Sequence, residues 1–174
     1  MLELREDKSA ILSSYKGLET IRFHRCVLAT GCRERAIGSL PVSGTRPAGV
    51  YSAGTAQKMI NLMGLDIGEN IVILGSGDIG MIMARRFSLL GKRVVAMVEK
   101  EDALGGLVRN IRNCIEAYSI PVLTRSTVTQ VHGSGRIKGV SVRNLENGEE
   151  KFIPCDFIGL NYYQPGFCRA GDRE

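Results

Sequence analysis

Apolar residues follow three rhythms along this chain, and each predicts a different element. Asn70-Ile71-Val72-Ile73-Leu74 is a short continuous apolar run, as expected of a strand buried on both faces of a parallel sheet. Directly afterwards Ile79, Ile82, Met83, Phe87 and Leu90 recur at three- and four-residue steps with Arg85 and Arg86 between them, which predicts an amphipathic helix stopped by Gly91. A second strand is predicted over Arg93 to Val98. The helix expected after it has Asp102 as its cap and an apolar stripe of Leu107, Ile111, Cys114, Ile115 and Tyr118, and Pro121 marks its end before the strand Val122-Leu123. The remaining rhythm is a meander over Thr127 to Val131, Ile137 to Val142 and Lys151 to Ile153. Its turns are at Gly133-Ser134-Gly135 and Asn147-Gly148.

The first third reads as short pieces. Residues 2–28 suggest a hairpin that includes Thr20 to His24, followed by a buried strand, Cys26-Val27-Leu28-Ala29, leading into Thr30-Gly31. Arg33, Glu34 and Arg35 read as a solvated turn. From Gly38 to Gly54 the density of Gly, Pro and Ser marks an irregular connection, and a helix is expected at about Thr55 to Met63. The order strand–helix–strand–helix–strand, then three further strands, predicts an α/β fold: a Rossmann-like doubly wound parallel sheet with an antiparallel three-stranded insert.

Composition narrows the class without naming the chemistry. The 174 residues, 44% hydrophobic and 24% charged, have the balance of an ordinary globular protein, with 21 glycines. A net charge of +5 comes from Lys and Arg scattered among Asp and Glu, with no basic block or interleaved aromatics, so nucleic acid is not the expected partner. The charged opening Met1-Leu2-Glu3-Leu4-Arg5-Glu6-Asp7-Lys8 fits neither a signal peptide nor a membrane span, and a cytoplasmic location is expected. Five cysteines (Cys26, Cys32, Cys114, Cys155, Cys168) form no Cys-x-x-Cys pair, and His24 and His132 stand apart from other ligand types. Reduced thiols and no metal site are expected. Cys32 has no nearby His or partner thiol that would make it a catalytic thiolate.

The chemistry lies in Gly75-Ser76-Gly77-Asp78-Ile79-Gly80, a G-x-G-x-x-G placed between a buried strand and the first turn of a helix. Gly75 permits a tight turn, Gly77 leaves room for backbone to approach a pyrophosphate, and Gly80 lets helix and strand pack closely. The free N–H groups and positive dipole end of the helix then bind phosphate. Nineteen residues beyond Gly80, Glu99 ends the second strand, where a carboxylate can accept hydrogen bonds from the adenosine ribose. A 2′-phosphate would meet that negative charge, so NAD(H) is expected over NADP(H). Gly133-Ser134-Gly135 joins two strands with no helix after it and reads as a hairpin turn.

Three segments together resemble the pyridine nucleotide-disulfide oxidoreductase superfamily: Val27-Leu28-Ala29-Thr30-Gly31-Cys32-Arg33-Glu34-Arg35, Gly44-Thr45-Arg46-Pro47-Ala48-Gly49-Val50, and Ile73 to Gly80. The likeness spans about residues 20–160. It is nearest in look to the branch of FAD/NAD(P)-dependent oxidoreductases without a redox disulfide, similar to the flavoprotein subunits of amine and opine oxidases and of hydrogen cyanide synthase. The resemblance implies that Ala29, Thr30 and Gly31 lie near FAD while Gly75 to Gly80 and Glu99 hold NAD(H). It also implies hydride transfer between nicotinamide and flavin, with the cofactors supplying the chemistry and no side chain required to be catalytic.

On that basis residues 1–50 are expected to be a partial FAD-binding domain remnant, residues 51–160 an NAD(P)H-binding Rossmann-like domain, and residues 161–174 an atypical tail. Residues 1–70 contain no second G-x-G-x-x-G for an FAD pyrophosphate, so the implied partner is a missing FAD-domain segment or a flavoprotein partner subunit. Where the family continues into a Ser-x-Gly-x-x-Pro turn, this chain reads Asn161-Tyr162-Tyr163-Gln164-Pro165-Gly166-Phe167-Cys168-Arg169. Encoded as AAT TAT TAT CAG CCG GGT TTC TGC CGG, those residues would yield Leu-Leu-Ser-Ala-Gly-Phe-Leu-Pro from one base earlier, and a frameshift or assembly error near Asn161 would account for the tail. The alternative to an enzyme is a non-catalytic NAD(H)-binding module, or a fragment that needs a complementary flavoprotein chain.

Overall fold

A computed structural model describes residues 1–27, 29, 33–35, 37–161, 163 and 164. The chain divides into two compact units, with the break after Gly31.

In the first unit, strands β1 (Glu3–Leu4), β2 (Ser9–Ser14) and β3 (Gly17–Arg22) form an antiparallel sheet in that order. The hairpin expected here is β2–β3. The buried strand expected to follow is not formed at its start: Cys26 and Val27 are exposed, outside any strand, and Leu28 lies outside the described residues. A strand persists only where its N–H and C=O groups are paired, and within this unit β3 has no further neighbour among the described residues.

The second unit carries β4 (Arg33–Glu34), β5 (Ser43–Gly44), β6 (Val50–Ser52), α1 (Ala53–Asn61), β7 (Asn70–Leu74), α2 (Asp78–Leu89) and β8 (Arg93–Val98). Helix α3 (Val108–Asn110) continues through a π turn, Ile111–Ile115, and a 3-10 turn, Glu116–Tyr118. The strands β9 (Val122–Leu123), β10 (Ser126–Gly133), β11 (Ile137–Asn144), β12 (Glu150–Pro154), β13 (Phe157–Leu160) and β14 (Tyr163–Gln164) complete it.

A five-stranded, all-parallel sheet with order β6-β13-β7-β8-β9 is the frame. Its side chains alternate between two cores. Ile71, Ile73, Met97 and Phe157 pack with Ala53 and Ala56 of α1, Met81, Ala84 and Phe87 of α2, and Ile115 beyond α3. Val72, Leu74, Val98, Ile158 and Leu160 turn the other way onto Val128, Val131, Val140 and Val142 of β10 and β11. Helices therefore cover one face and the antiparallel insert β10–β11–β12 covers the other, which explains why Ile71 to Leu74 and Phe157 to Leu160 can be apolar throughout. The two-residue β5 adds to the insert edge, parallel to β10.

Three expectations shift. Helix α1 begins at Ala53, two residues early, because the Ser52 hydroxyl caps it by accepting from Thr55 N. The Arg33-Glu34-Arg35 turn is not simply solvated: the half-buried Glu34 carboxylate accepts hydrogen bonds from the Ser52 hydroxyl and Gly54 N–H at the α1 N-terminus. The helix expected from Asp102 starts only at Val108, since the glycine pair Gly105-Gly106 favours helix poorly and the N–H groups of Gly105 and Leu107 donate to Ser76 and Asp78. The expected tail is described only at Asn161, Tyr163 and Gln164; its remainder lies outside the described residues.

Candidate dinucleotide site

The sheet order reverses at β7, whose neighbours are β13 on one side and β8 on the other. At such a switch point the loops leaving the strand ends diverge and open a crevice. The loop from β7 to α2 lies there. Gly75 makes the turn with φ +98°, a conformation open to glycine, and its N–H donates to the Val98 carbonyl at 2.8 Å. Gly77 is the N-cap of α2 and offers no side-chain cap. The N–H groups of Asp78, Ile79 and Gly80 consequently have no acceptor among the described residues, leaving the positive end of a 12-residue helix unsatisfied at the crevice.

The glycines also bring chain segments close together. A Cβ on Gly80 would stand 2.7 Å from the Gly75 carbonyl oxygen and 2.6 Å from Asn161 Nδ2, so this residue permits the tight helix–strand packing expected of it. A Cβ on Gly77 would stand 3.0 Å from the same amide nitrogen. The space above the loop on the β13 side is thus lined by Asn161, the residue directly after that strand.

On the β8 side, Glu99 is 8% exposed. Its Oε2 accepts from Ser76 N at 2.8 Å and from the Ser76 hydroxyl, while Oε1 accepts from Glu101 N at 3.0 Å. Burial pushes its pKa up, but the hydrogen bonds from Glu101, Ser76 and Lys100 outweigh that, so the carboxyl is held below the ordinary glutamate value and is ionised at neutral pH. Asp78 is likewise lowered, first by the Leu107 N–H at 2.8 Å and then by the Asn110 amide at 2.7 Å. Gly105 N–H donates to the Ser76 hydroxyl at 2.9 Å. The turn before α3 is thereby fastened to the glycine loop.

Gly75, Ser76, Gly77, Asp78, Ile79, Gly80 and Glu99 therefore gather at one end of the parallel sheet. Ala29 lies in the first unit and is exposed; Thr30 and Gly31 lie outside the described residues. Asn161, Asn110 and Gly105 were not legible as site residues, because what brings them here is strand pairing and contacts across 29 or more positions. Of the cysteines, Cys26 is exposed and Cys114 and Cys155 are buried free thiols, the last pushed up to about 12 by burial; Cys32 and Cys168 lie outside the described residues.

The family model of the pyridine nucleotide-disulphide oxidoreductases matches residues 2–160. The chain belongs to this family. Its members use FAD and NAD(P)H. Among curated relatives, dihydrolipoyl dehydrogenase of Staphylococcus aureus is 24% identical over 157 residues, covering 88% of this chain and 31% of that protein. Monodehydroascorbate reductase 1 of Oryza sativa subsp. japonica is 27% identical over 149 residues, covering 80% and 30%. The chain thus spans about a third of the length of these relatives. In fold it is similar to thioredoxin reductase of T. acidophilum, with TM-score 0.65, 21% identity and coverage of 89% of this chain and 51% of that one. A NAD-dependent persulfide reductase of A. fulgidus gives TM-score 0.60, 20% identity and coverage of 91% and 30%.

Proposed function

We propose that the second unit of this family member is its NAD(H)-binding part, working in a flavin-dependent oxidoreductase. The observation that carries the reading is the set of unsatisfied N–H groups at Asp78, Ile79 and Gly80, at the reversal point of a parallel sheet and with a glycine for an N-cap. Such a helix end binds a diphosphate through its amides and its dipole. Glu99 faces the same loop and, as an ionised carboxylate, disfavours a second phosphate on the ribose; this supports NAD(H) over NADP(H).

When both cofactors are present, hydride passes between nicotinamide and flavin. This chain's own residues bind and orient the nucleotide; none is assigned a proton-transfer role. Residues 1–70 contain no second phosphate-binding glycine loop for an FAD diphosphate. A complementary FAD-domain segment or flavoprotein subunit is the proposed partner, in the cytoplasm. The branch without a redox disulfide is the proposed affiliation within the family.

Titration of NADH into the purified chain, followed by nicotinamide fluorescence, tests the reading. Saturable binding of NADH, weaker for NADPH, is expected. No saturable signal with either nucleotide contradicts it, while NADH binding with no flavin reduction on adding a complementary flavoprotein chain favours the non-catalytic module.

A further inference from the structure

Among the described residues, one buried side-chain polar atom has no hydrogen-bond partner: Oδ1 of Asn161. The residue is 7% exposed and firmly held. Its N–H donates to the Leu74 carbonyl at 2.8 Å, extending the β13–β7 ladder by one residue, and its Nδ2 donates to the Gly77 carbonyl at 3.1 Å. Turning the amide over would set two oxygens against each other at Gly77, so the unpartnered atom is the carbonyl oxygen, an acceptor. Buried acceptors of this kind are costly to leave empty, and an empty one beside a helix N-terminus asks for a donor.

The sheet order says which part of a dinucleotide passes by. Glu99 at the end of β8 marks the adenosine side, and the diphosphate lies over the loop after β7. The nucleotide's other half then extends over the end of β13, where Asn161 stands. The diphosphate itself offers only acceptors and leaves Oδ1 unsatisfied. The nicotinamide riboside half carries donors: two ribose hydroxyls and the carboxamide N–H groups. Building on the NAD(H) reading, on which this step rests, we propose that Asn161 is a nucleotide-binding residue. Its Oδ1 accepts a hydrogen bond from the nicotinamide riboside half, while its Nδ2 holds the glycine loop in place.

Calorimetric titration of NADH, ADP-ribose and ADP into the wild-type chain and the Asn161→Ala variant tests this. NADH affinity is expected to fall about tenfold further than ADP affinity in the variant, the value of one lost hydrogen bond with its unsatisfied partner, any loss common to both nucleotides being that of the Nδ2 contact with Gly77. A parallel loss for ADP-ribose identifies a ribose hydroxyl as the donor; retention of ADP-ribose affinity identifies the carboxamide. Unchanged NADH affinity overturns the proposal and leaves the NAD(H) reading standing, as does an equal loss for ADP, which would make Asn161 a brace for the loop only. Failure of the wild type to bind any of the three overturns both. A second measurement needs no variant: the Asn161 side-chain amide resonance of the wild-type chain should shift further on adding NADH than on adding ADP, and a shift with saturating NADH no larger than that with ADP overturns the assignment.

Discussion

Ser76 and Glu99, 23 positions apart, are joined by two hydrogen bonds to the same oxygen: the Ser76 backbone N–H reaches Glu99 Oε2 at 2.8 Å and the Ser76 hydroxyl donates to it as well. The carboxylate that is to receive a ribose is therefore already occupied on the side facing the glycine loop. A ribose hydroxyl must share or displace the serine. Ser76→Ala should cost about 1 kcal/mol of stability, the net worth of a typical hydrogen bond, yet raise NADH affinity a few-fold by freeing a lone pair on Oε2. Urea unfolding and NADH titration read the two effects, and a drop in affinity would show the hydroxyl to be a nucleotide ligand itself.

Charge reversal at the same position probes discrimination. Glu99→Arg should move preference from NADH toward NADPH, because a guanidinium attracts the 2′-phosphate that the carboxylate repels. An unaltered ratio of the two affinities would mark Glu99 as part of the loop's scaffold alone.

The same carboxylate gives the fold a pH dependence of definite sign. Its folded-state pKa lies below the ordinary glutamate value, so its stabilisation is fully present above about pH 4.3 and is lost as pH falls through the lower folded value. Thermal melts of wild type and Glu99→Gln from pH 7 to pH 3 should show a gap that narrows on acidification. A gap of constant size would show that Glu99 does not titrate with folding.

Filling the space at Gly77 should abolish binding. A Cβ there already comes within 3.0 Å of Asn161 Nδ2, and the branched side chain of Gly77→Val would displace that amide and intrude on the diphosphate position. NADH affinity that survives this substitution would detach the glycine loop from nucleotide binding.

Core packing is a separate matter from the site. Phe157 is fully buried between Tyr51 and Phe87, with ring centroids 5.8 Å away on each side. Phe157→Ala should cost about 3–5 kcal/mol in chemical denaturation, and a loss under about 1 kcal/mol would contradict the described core.

The parts of this molecule that were readable from sequence are those whose cause is local. The apolar run Ile71 to Leu74, the three- and four-residue steps of α2 and the glycine turns at Gly133 and Gly148 each depend on residues within one element or its flanks. The α3 start was misplaced because Gly105 and Leu107 are fastened to Ser76 and Asp78, 29 residues back. Glu34 read as solvated because the helix end it caps lies 20 residues on. Asn161 belonged to an unpromising tail until β13 paired with β7 and carried it to the glycine loop.

Backbone amide resonances test most directly whether the α2 N-terminus receives a diphosphate. In a 15N-labelled chain titrated with NADH, the signals of Asp78, Ile79 and Gly80 should shift saturably, and ADP should move the same three. NADH binding that leaves these amides unmoved, or no binding at all, would contradict the account.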